Sequence, residues 1–104
     1  MLFRSQIGDG IAVDDLRTMA LDIKNRLGES VIALASVSAD KPVVVVATSD
    51  AARAKGVKAG ALVKIASGVL GGGGGGKDDF AQGGGTNAAE IPNALLAIEK
   101  ALNN

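Results

Sequence analysis

The spacing of apolar residues predicts a strand followed by a helix in the N-terminal part of the chain. Residues 2–7 alternate between apolar and polar side chains, which is typical of a half-exposed edge strand. A turn is expected over residues 8–10, and residues 14–27 then repeat apolar side chains at the spacing of one helical face. Gly28 suits the position after the last helical turn. The predicted buried stripe comprises Leu16, Met19, Ala20, Ile23 and Leu27, and the flank that we expect to be solvated comprises Arg17, Leu21 and Lys24.

Two continuous apolar runs follow, Val31 to Val37 and Val43 to Thr48. Both runs are short and rich in β-branched residues, and a polar turn separates them. We therefore expect two adjacent strands that are covered on both faces. A short helical turn is predicted over residues 50–55, because Ser49 precedes it as a suitable N-cap.

Two further helices are predicted in the second half of the chain. In the first, over residues 60–70, the expected buried stripe is Leu62, Ile65, Ala66 and Val69, and the opposite face carries Gly60, Lys64 and Ser67. Gly60 and Ser67 are so small that another backbone could approach this opposite face, or a neighbouring element could pack there. The last helix begins near Ile91, and its predicted stripe is Ile91, Ala94, Leu95, Ile98 and Leu102.

The order of these elements predicts an α/β fold. It consists of a small mixed β-sheet with packed helices and a glycine-rich loop before the last helix. The chain of 104 residues fits a single domain, and its core must be aliphatic because Phe3 and Phe80 are the only aromatic residues. No apolar run approaches the ~20 residues that span a bilayer, and no signal-peptide pattern opens the chain. We therefore predict a cytoplasmic location without membrane contact.

The residue types that are absent exclude several kinds of chemistry. The chain has no His and no Cys, so a Ser-His-Asp triad, a Cys-His pair, a disulfide and a histidine or thiolate metal site cannot form. Asp78 and Asp79 adjoin one another, but neighbouring side chains of an extended segment point apart. We predict no catalytic residue, no metal site and no cofactor.

Charge is distributed unevenly, although the net charge is zero. Between Lys41 and Lys77 there are six basic residues against one acidic residue, whereas acidic residues predominate before and after this segment. A basic middle between acidic ends could form one positive face, which would suit an anionic partner. An ordinary mixed surface is the alternative.

The most distinctive segment is GGGGGGKDDFAQGGGT, which spans residues 71–86. Such a run could be a flexible linker. The flanking amphipathic helices, the second glycine cluster and Phe80 favour an ordered loop, in which bare backbone can approach a phosphate or a base closely. Residues 71–77 match the G-x-x-x-x-G-K part of a P-loop, but Asp78 stands where a Ser or Thr would bind magnesium. The segment also follows a helix instead of a strand, so neither ATP nor NAD binding is supported.

Read together, the glycine segment and its flanks resemble a known family. The residues that carry the resemblance are the glycine run, Lys77, Asp79, Ala81, Gln82, Gly83 to Gly85, Thr86, Ala88, Ala89, Pro92 and Leu95. They resemble the C-terminal globular domain of bacterial alanyl-tRNA synthetases, and the helix–strand–strand order upstream agrees. A related domain accompanies the DHH-type phosphoesterases, whose glycine-rich motif usually has a histidine that this chain lacks.

The resemblance implies that residues 1–104 are a single C-terminal domain fragment of a larger synthetase. Such a domain holds the tRNA elbow and helps aminoacylation and editing act on one bound tRNA; by itself it is not an enzyme. The implied partners are alanine-specific tRNA and the other domains of the parent, with a homodimer as a further option. The candidate RNA-binding residues are Gly71, Gly72, Gly73, Gly74, Gly75, Gly76, Lys77, Gln82, Gly83, Gly84, Gly85, Thr86, Lys64, Arg53, Lys55 and Lys58.

Two alternatives to RNA binding stay open at this point. One is a structural module whose role is dimerisation, and the other is a nucleotide-binding accessory domain of a DHH-type phosphoesterase. The first predicts a mass that depends on concentration, and the second predicts that mononucleotides stabilise the domain.

Overall fold

The computed structural model of the protein describes residues 2–7 and 10–102, so most of the predicted turn at 8–10 lies outside the described residues. Within these ranges the chain forms five strands, four α-helices and a single 3-10 turn over Ala88–Glu90. The elements in chain order are β1 (Leu2–Gln6), α1 (Val13–Leu27), β2 (Val31–Ser38), β3 (Lys41–Thr48), α2 (Asp50–Ala54), α3 (Ala59–Val69), β4 (Gly74–Gly76), β5 (Phe80–Gly84) and α4 (Ile91–Leu102).

All five strands belong to one mixed sheet in the order β1-β2-β3-β5-β4. Strand β1 pairs with β2 in parallel, and the other three pairings are antiparallel. The predicted α/β class, the mixed sheet, the edge position of β1 and the adjacent strands β2 and β3 are therefore confirmed.

A two-residue turn joins β2 to β3. Its residues, Ala39 and Asp40, both have left-handed backbone conformations, with φ values of 51° and 65°. Positive φ at both central residues is the geometry that matches the twist of an antiparallel hairpin. Asp tolerates this conformation better than Ala does, so Ala39 introduces local backbone strain.

Helices cover the sheet on both faces and create two cores. Helix α1 packs against β2 and β3, where Leu16 and Ala20 meet a core completed by Ile32, Leu34, Val45 and Ala47. Helices α3 and α4 cover the other face, and this larger core includes Val63, Ala66, Leu70, Ile91 and Ile98. Alternate residues of β2 and β3 enter different cores, which explains why both strands are apolar without interruption.

The local signals at most helix ends agree with the structure. Gly28 follows α1 with a φ of 69°, and the Oγ of Ser49 accepts a hydrogen bond from the amide of Ala52 at 3.2 Å. The predicted stripe of α4 is buried or half-buried. In α1, however, Leu27 is exposed, whereas Leu21 packs against the smaller core instead of being solvated. No helix within the described ranges is long and apolar enough to cross a membrane.

The predicted orientation of α3 was only partly right, because Leu62 and Ala66 of the expected stripe are buried and Lys64 is exposed, but other positions differ. Ile65 was expected to be buried and is 41% exposed, whereas Gly60 and Ser67, expected on the outer face, are fully or almost fully buried. The cause is the glycine segment, which folds back over the small-residue side of α3. The small residues on this side of α3 indicated that another backbone could approach it, but hydropathy could not identify the strands of the glycine segment as the covering elements.

The glycine segment was predicted as a loop, and the structure shows that much of it is β-hairpin. Residues 74–76 and 80–84 form β4 and β5, and the pairing of β5 with β3 extends the central sheet. Glycine has a low strand propensity, so the sequence alone gave no strand signal. The strands form because neighbouring backbone supplies hydrogen-bond partners.

Candidate functional site

The glycine hairpin, residues 71–86, is packed so closely that several of its glycines have no room for a side chain. A Cβ at Gly84 would lie 2.6 Å from the carbonyl oxygen of Pro42, and one at Gly76 would lie 2.7 Å from the Cα of Ala81. A Cβ at Gly83 would overlap the Oγ of Ser67, which explains why α3 carries a small residue there. These glycines are required by the fold.

Gly73 and Gly75 differ from those glycines. A Cβ at Gly73 would meet nothing within 4 Å, and one at Gly75 would meet only the Cε of Lys64, at 3.9 Å. Neither residue has a left-handed φ. Packing within the described part of the domain therefore gives no reason for glycine at these two positions, and their bare backbone is accessible from outside.

The turn of the hairpin is fixed to the end of the sheet by three successive carbonyl groups. The amide of Gly60 donates to the carbonyl of Lys77 at 3.1 Å, and the amide of Ala59 donates to that of Asp78 at 2.9 Å. Thr48 donates its hydroxyl to the Asp78 carbonyl and its amide to the Asp79 carbonyl, at 2.5 and 3.0 Å. The first amides of α3 are thus satisfied internally and are not an anion site.

The second glycine cluster is fixed at the opposite end of the hairpin. Gly85 donates its amide to the carbonyl of Pro42 at 3.2 Å, and the amides of Thr86 and Asn87 both donate to the carbonyl of Leu70, at 2.9 and 3.0 Å. These amides therefore form hydrogen bonds within the domain.

Strand β4 leaves one set of amides unpaired with the sheet. Gly73 accepts from the amide of Gly84, and Lys77 donates to Phe80, so the odd-numbered residues of this strand face β5. In an antiparallel ladder the intervening residues point the other way, so Gly74 and Gly76 direct their amides toward the free edge.

Two open clefts adjoin the face of the hairpin that α1 leaves uncovered. The first has a volume of about 380 Å³, and its lining residues include Arg17, Lys77, Asp79, Phe80 and Gln82 together with Gly75 and Gly76. The second, of about 350 Å³, includes Lys41, Gly73 and Gly84. Gln82 lines both clefts, which makes this face of the hairpin one continuous surface.

The predicted basic residues have different environments. Lys77 and Lys64 are exposed beside the hairpin. Arg53 is half-buried, where it donates to the carbonyl of Thr48 and forms an ion pair with Asp50. Lys55 pairs with Glu29 at 2.5 Å, and its hydrogen bond and charge lower the pKa of the Glu29 carboxyl. Lys58 is exposed just before α3, beside Lys55.

Two basic residues that line the clefts are absent from the predicted RNA-binding set, although Lys41 was counted in the basic segment. Lys41 begins β3, and Arg17 lies on α1 with its guanidinium carbon 5.1 Å from the centre of the Phe80 ring. Arg17 had been placed on a solvated flank of its helix. Only the position of the hairpin reveals this contact, because the two residues are far apart in sequence.

The fold and the hairpin agree with what comparison with known proteins shows. Residues 2–104 match the DHHA1 domain, and the chain therefore belongs to the DHHA1 domain family. Within this family it is similar to the C-terminal domain of alanyl-tRNA synthetase. Its structure superposes on the crystal structure of the C-Ala domain from Aquifex aeolicus alanyl-tRNA synthetase with a TM-score of 0.90, at 30% identity, covering 99% of this chain and 91% of that one.

Curated relatives point to the same domain. The chain is 60% identical over 97 residues to the alanine–tRNA ligase of Arthrobacter sp. (strain FB24), covering 91% of this chain and 11% of the ligase. The corresponding values for the ligase of Renibacterium salmoninarum are 58% over 103 residues, 97% and 12%. The resemblance predicted from the sequence is confirmed, and the chain spans about a tenth of these relatives.

A more distant structure shares the fold alone. It is the DHH domain of a member of the s1p family of ribosomal proteins, with a TM-score of 0.57 at 21% identity over 86% of this chain.

Proposed function

We propose that this domain binds tRNA through the glycine hairpin and holds the tRNA elbow for a parent alanyl-tRNA synthetase. The observation that carries the proposal is the bare backbone at Gly73 and Gly75, which no internal contact requires. A glycine strand permits closer approach of a nucleotide than any other residue type. The exposed Lys64 and Lys77 flank this strand and supply positive charge.

The mechanism that follows is shape recognition of a folded RNA. Folded RNA is recognised largely through its shape, its 2′-hydroxyls and its exposed bases. Lys77 and Lys64 contact the phosphate backbone, while the surface around Gly73, Gly75 and Gln82 contacts the elbow. Arg53 and Lys55 are already engaged in ion pairs, so we assign them a smaller share of the binding free energy.

In this proposal the domain is non-catalytic and acts in the cytoplasm beside the other domains of the parent. The few basic residues at the hairpin predict weak binding in isolation. Tethering to other RNA-binding domains raises the effective concentration of the module at the tRNA, which compensates for low intrinsic affinity.

A salt titration of binding to intact alanine tRNA, and to a minihelix without the elbow, tests the proposal. We expect the wild-type chain to prefer the intact tRNA, and Lys77→Ala to reduce the salt slope by about one unit. Lys100→Ala is the matched control, because Lys100 is an exposed lysine on α4, which packs on the other side of the sheet. Equal binding to both RNAs would reduce the interaction to unspecific electrostatics, and no binding would contradict the proposal.

Replacing the two accessible glycines gives a second test of the same site. Gly73→Ala and Gly75→Ala should fold like the wild type but bind tRNA more weakly, since a methyl group prevents close approach. Gly68→Ala is a suitable control, because a Cβ at this exposed position of α3 also meets nothing within 4 Å. Unchanged affinity of the Gly73 and Gly75 variants would remove the bare backbone from the mechanism.

A further inference from the structure

The cleft between α1 and the glycine hairpin contains an arginine that is positioned by an aromatic ring. Arg17 is exposed, and its guanidinium lies over the ring of Phe80, 5.1 Å from the centroid. Phe80 is itself half-buried and packs against the smaller core. The guanidinium therefore lies over the Phe80 ring at the wall of the cleft, which Arg17 also lines.

The groups that line this cleft do not favour the binding of a cluster of phosphates. Arg17 and Lys77 bring positive charge to the cleft, but the acidic residue Asp79 also belongs to its lining. Gln82 adds an amide that can both donate and accept hydrogen bonds. One planar cation, one carboxylate and one amide provide a stacking surface together with donors and acceptors, which is the combination that recognises a neutral heterocyclic base.

We propose that Arg17 is a stacking platform for one exposed nucleobase of the bound RNA. The base lies on the free face of the guanidinium, in the cleft of about 380 Å³, and its polar edge meets Gln82 and Asp79. This inference rests on the proposed function, and it adds a named base-contacting residue to a site otherwise composed of backbone and lysines. It also supplies a stacking surface in a chain that has no Trp and no Tyr.

Phe80 acts as a positioning residue in this arrangement. Its ring restricts the guanidinium of a long side chain that would otherwise sample many rotamers, and restricting it before binding reduces the entropy lost on binding. Lysine cannot replace arginine here, because its ammonium group has no planar surface.

The test compares Arg17→Lys with the wild-type chain in binding to intact alanine tRNA. Arg17→Lys preserves the charge, so we expect an unchanged salt slope together with an affinity loss of about 5- to 150-fold, the range of one base-stacking contact. The control is Arg26→Lys, which replaces an exposed arginine on the opposite face of α1 that pairs with Asp22, and which should bind like the wild type.

A spectroscopic measurement separates stacking from charge. Intact tRNA with 2-aminopurine at an exposed elbow base should lose fluorescence on binding the wild-type chain, and lose less on saturation with Arg17→Lys. If Arg17→Lys matches the wild type in affinity and quenching, the stacking role is refuted while RNA binding by the domain stands. If the wild-type chain does not bind the intact tRNA, the proposed function fails and this inference fails with it.

Discussion

The contrast between Gly85 and Gly73 gives the most direct test of how the glycine hairpin is built. A Cβ at Gly85 would overlap the carbonyl oxygen of Leu70 and lie 2.7 Å from the Leu70 Cβ. Backbone cannot rotate out of the way as a flexible side chain can, so Gly85→Ala must displace either the hairpin or the end of α3. The same substitution at Gly73 meets open space.

The magnitude follows from the groups that would move. Overpacking a tight site costs about 1–3 kcal/mol. The Leu70 carbonyl also accepts the amides of Thr86 and Asn87, and each disrupted hydrogen bond costs about 1 kcal/mol. We expect Gly85→Ala to lower the free energy of unfolding by about 2–5 kcal/mol. Gly73→Ala should change it by less than about 1 kcal/mol, and in the stabilising direction, because alanine restricts the unfolded chain.

Urea denaturation followed by far-ultraviolet circular dichroism measures both values. The chain contains no Trp and no Tyr, so intrinsic fluorescence gives little signal. The m-values of the two variants should agree, since both unfold from the same sheet. If Gly85→Ala and Gly73→Ala had stabilities within about 0.5 kcal/mol of each other, the argument from backbone contact at Gly85 would be wrong.

Three further predictions concern the stability of the fold and one surface ion pair. Among the residues that the structure describes, the buried Oγ of Ser67 has no hydrogen-bond partner, so Ser67→Ala should leave stability unchanged or raise it by up to about 1 kcal/mol, and a clear loss in urea denaturation would indicate a partner for the hydroxyl. Ala39→Gly should raise the free energy of unfolding by about 0.5–1 kcal/mol, because glycine relieves the left-handed φ of 51°; a lower melting temperature would contradict this assignment. Lys55 lowers the pKa of Glu29 below 4.5, so the pair contributes stability above that pH, and the contribution is lost as the pH falls through the lowered pKa. In Lys55→Gln, nuclear magnetic resonance titration should show the Glu29 pKa moving up toward 4.5, and an unchanged value would exclude the ion pair in solution.

The sequence alone was sufficient to predict the elements whose apolar side chains follow a regular pattern. Strands β2 and β3 could be predicted because Val31 to Val37 and Val43 to Thr48 are apolar on both faces, and α4 because its stripe recurs at helical spacing. The N-cap at Ser49 and the glycine after α1 were equally local signals. In these cases the residue type itself determines the local structure.

The candidate site was harder to predict because its structure depends on contacts distant in sequence. Six consecutive glycines have no periodicity, so β4 could not be inferred. The small residues Gly60 and Ser67 indicated that a backbone could approach α3, but not that this backbone is the glycine hairpin. The stacking of Arg17 on Phe80 joins α1 to β5, two elements that are not neighbours along the chain. Whether the sixteen candidate residues contact RNA stays a prediction.

Because the hairpin is attached at both ends, its glycines become ordered when the domain folds and not when a ligand binds. A run of glycines loses more conformational freedom on becoming ordered than any other sequence of the same length. Here Thr48 and α3 hold the turn after the glycine run, and Leu70 and Pro42 hold the end of the second glycine cluster, so that freedom is lost when the domain folds. A ligand therefore meets a strand that is already rigid, although it is composed of the residue usually associated with flexibility. Its association can be rapid and reversible without a disorder-to-order step.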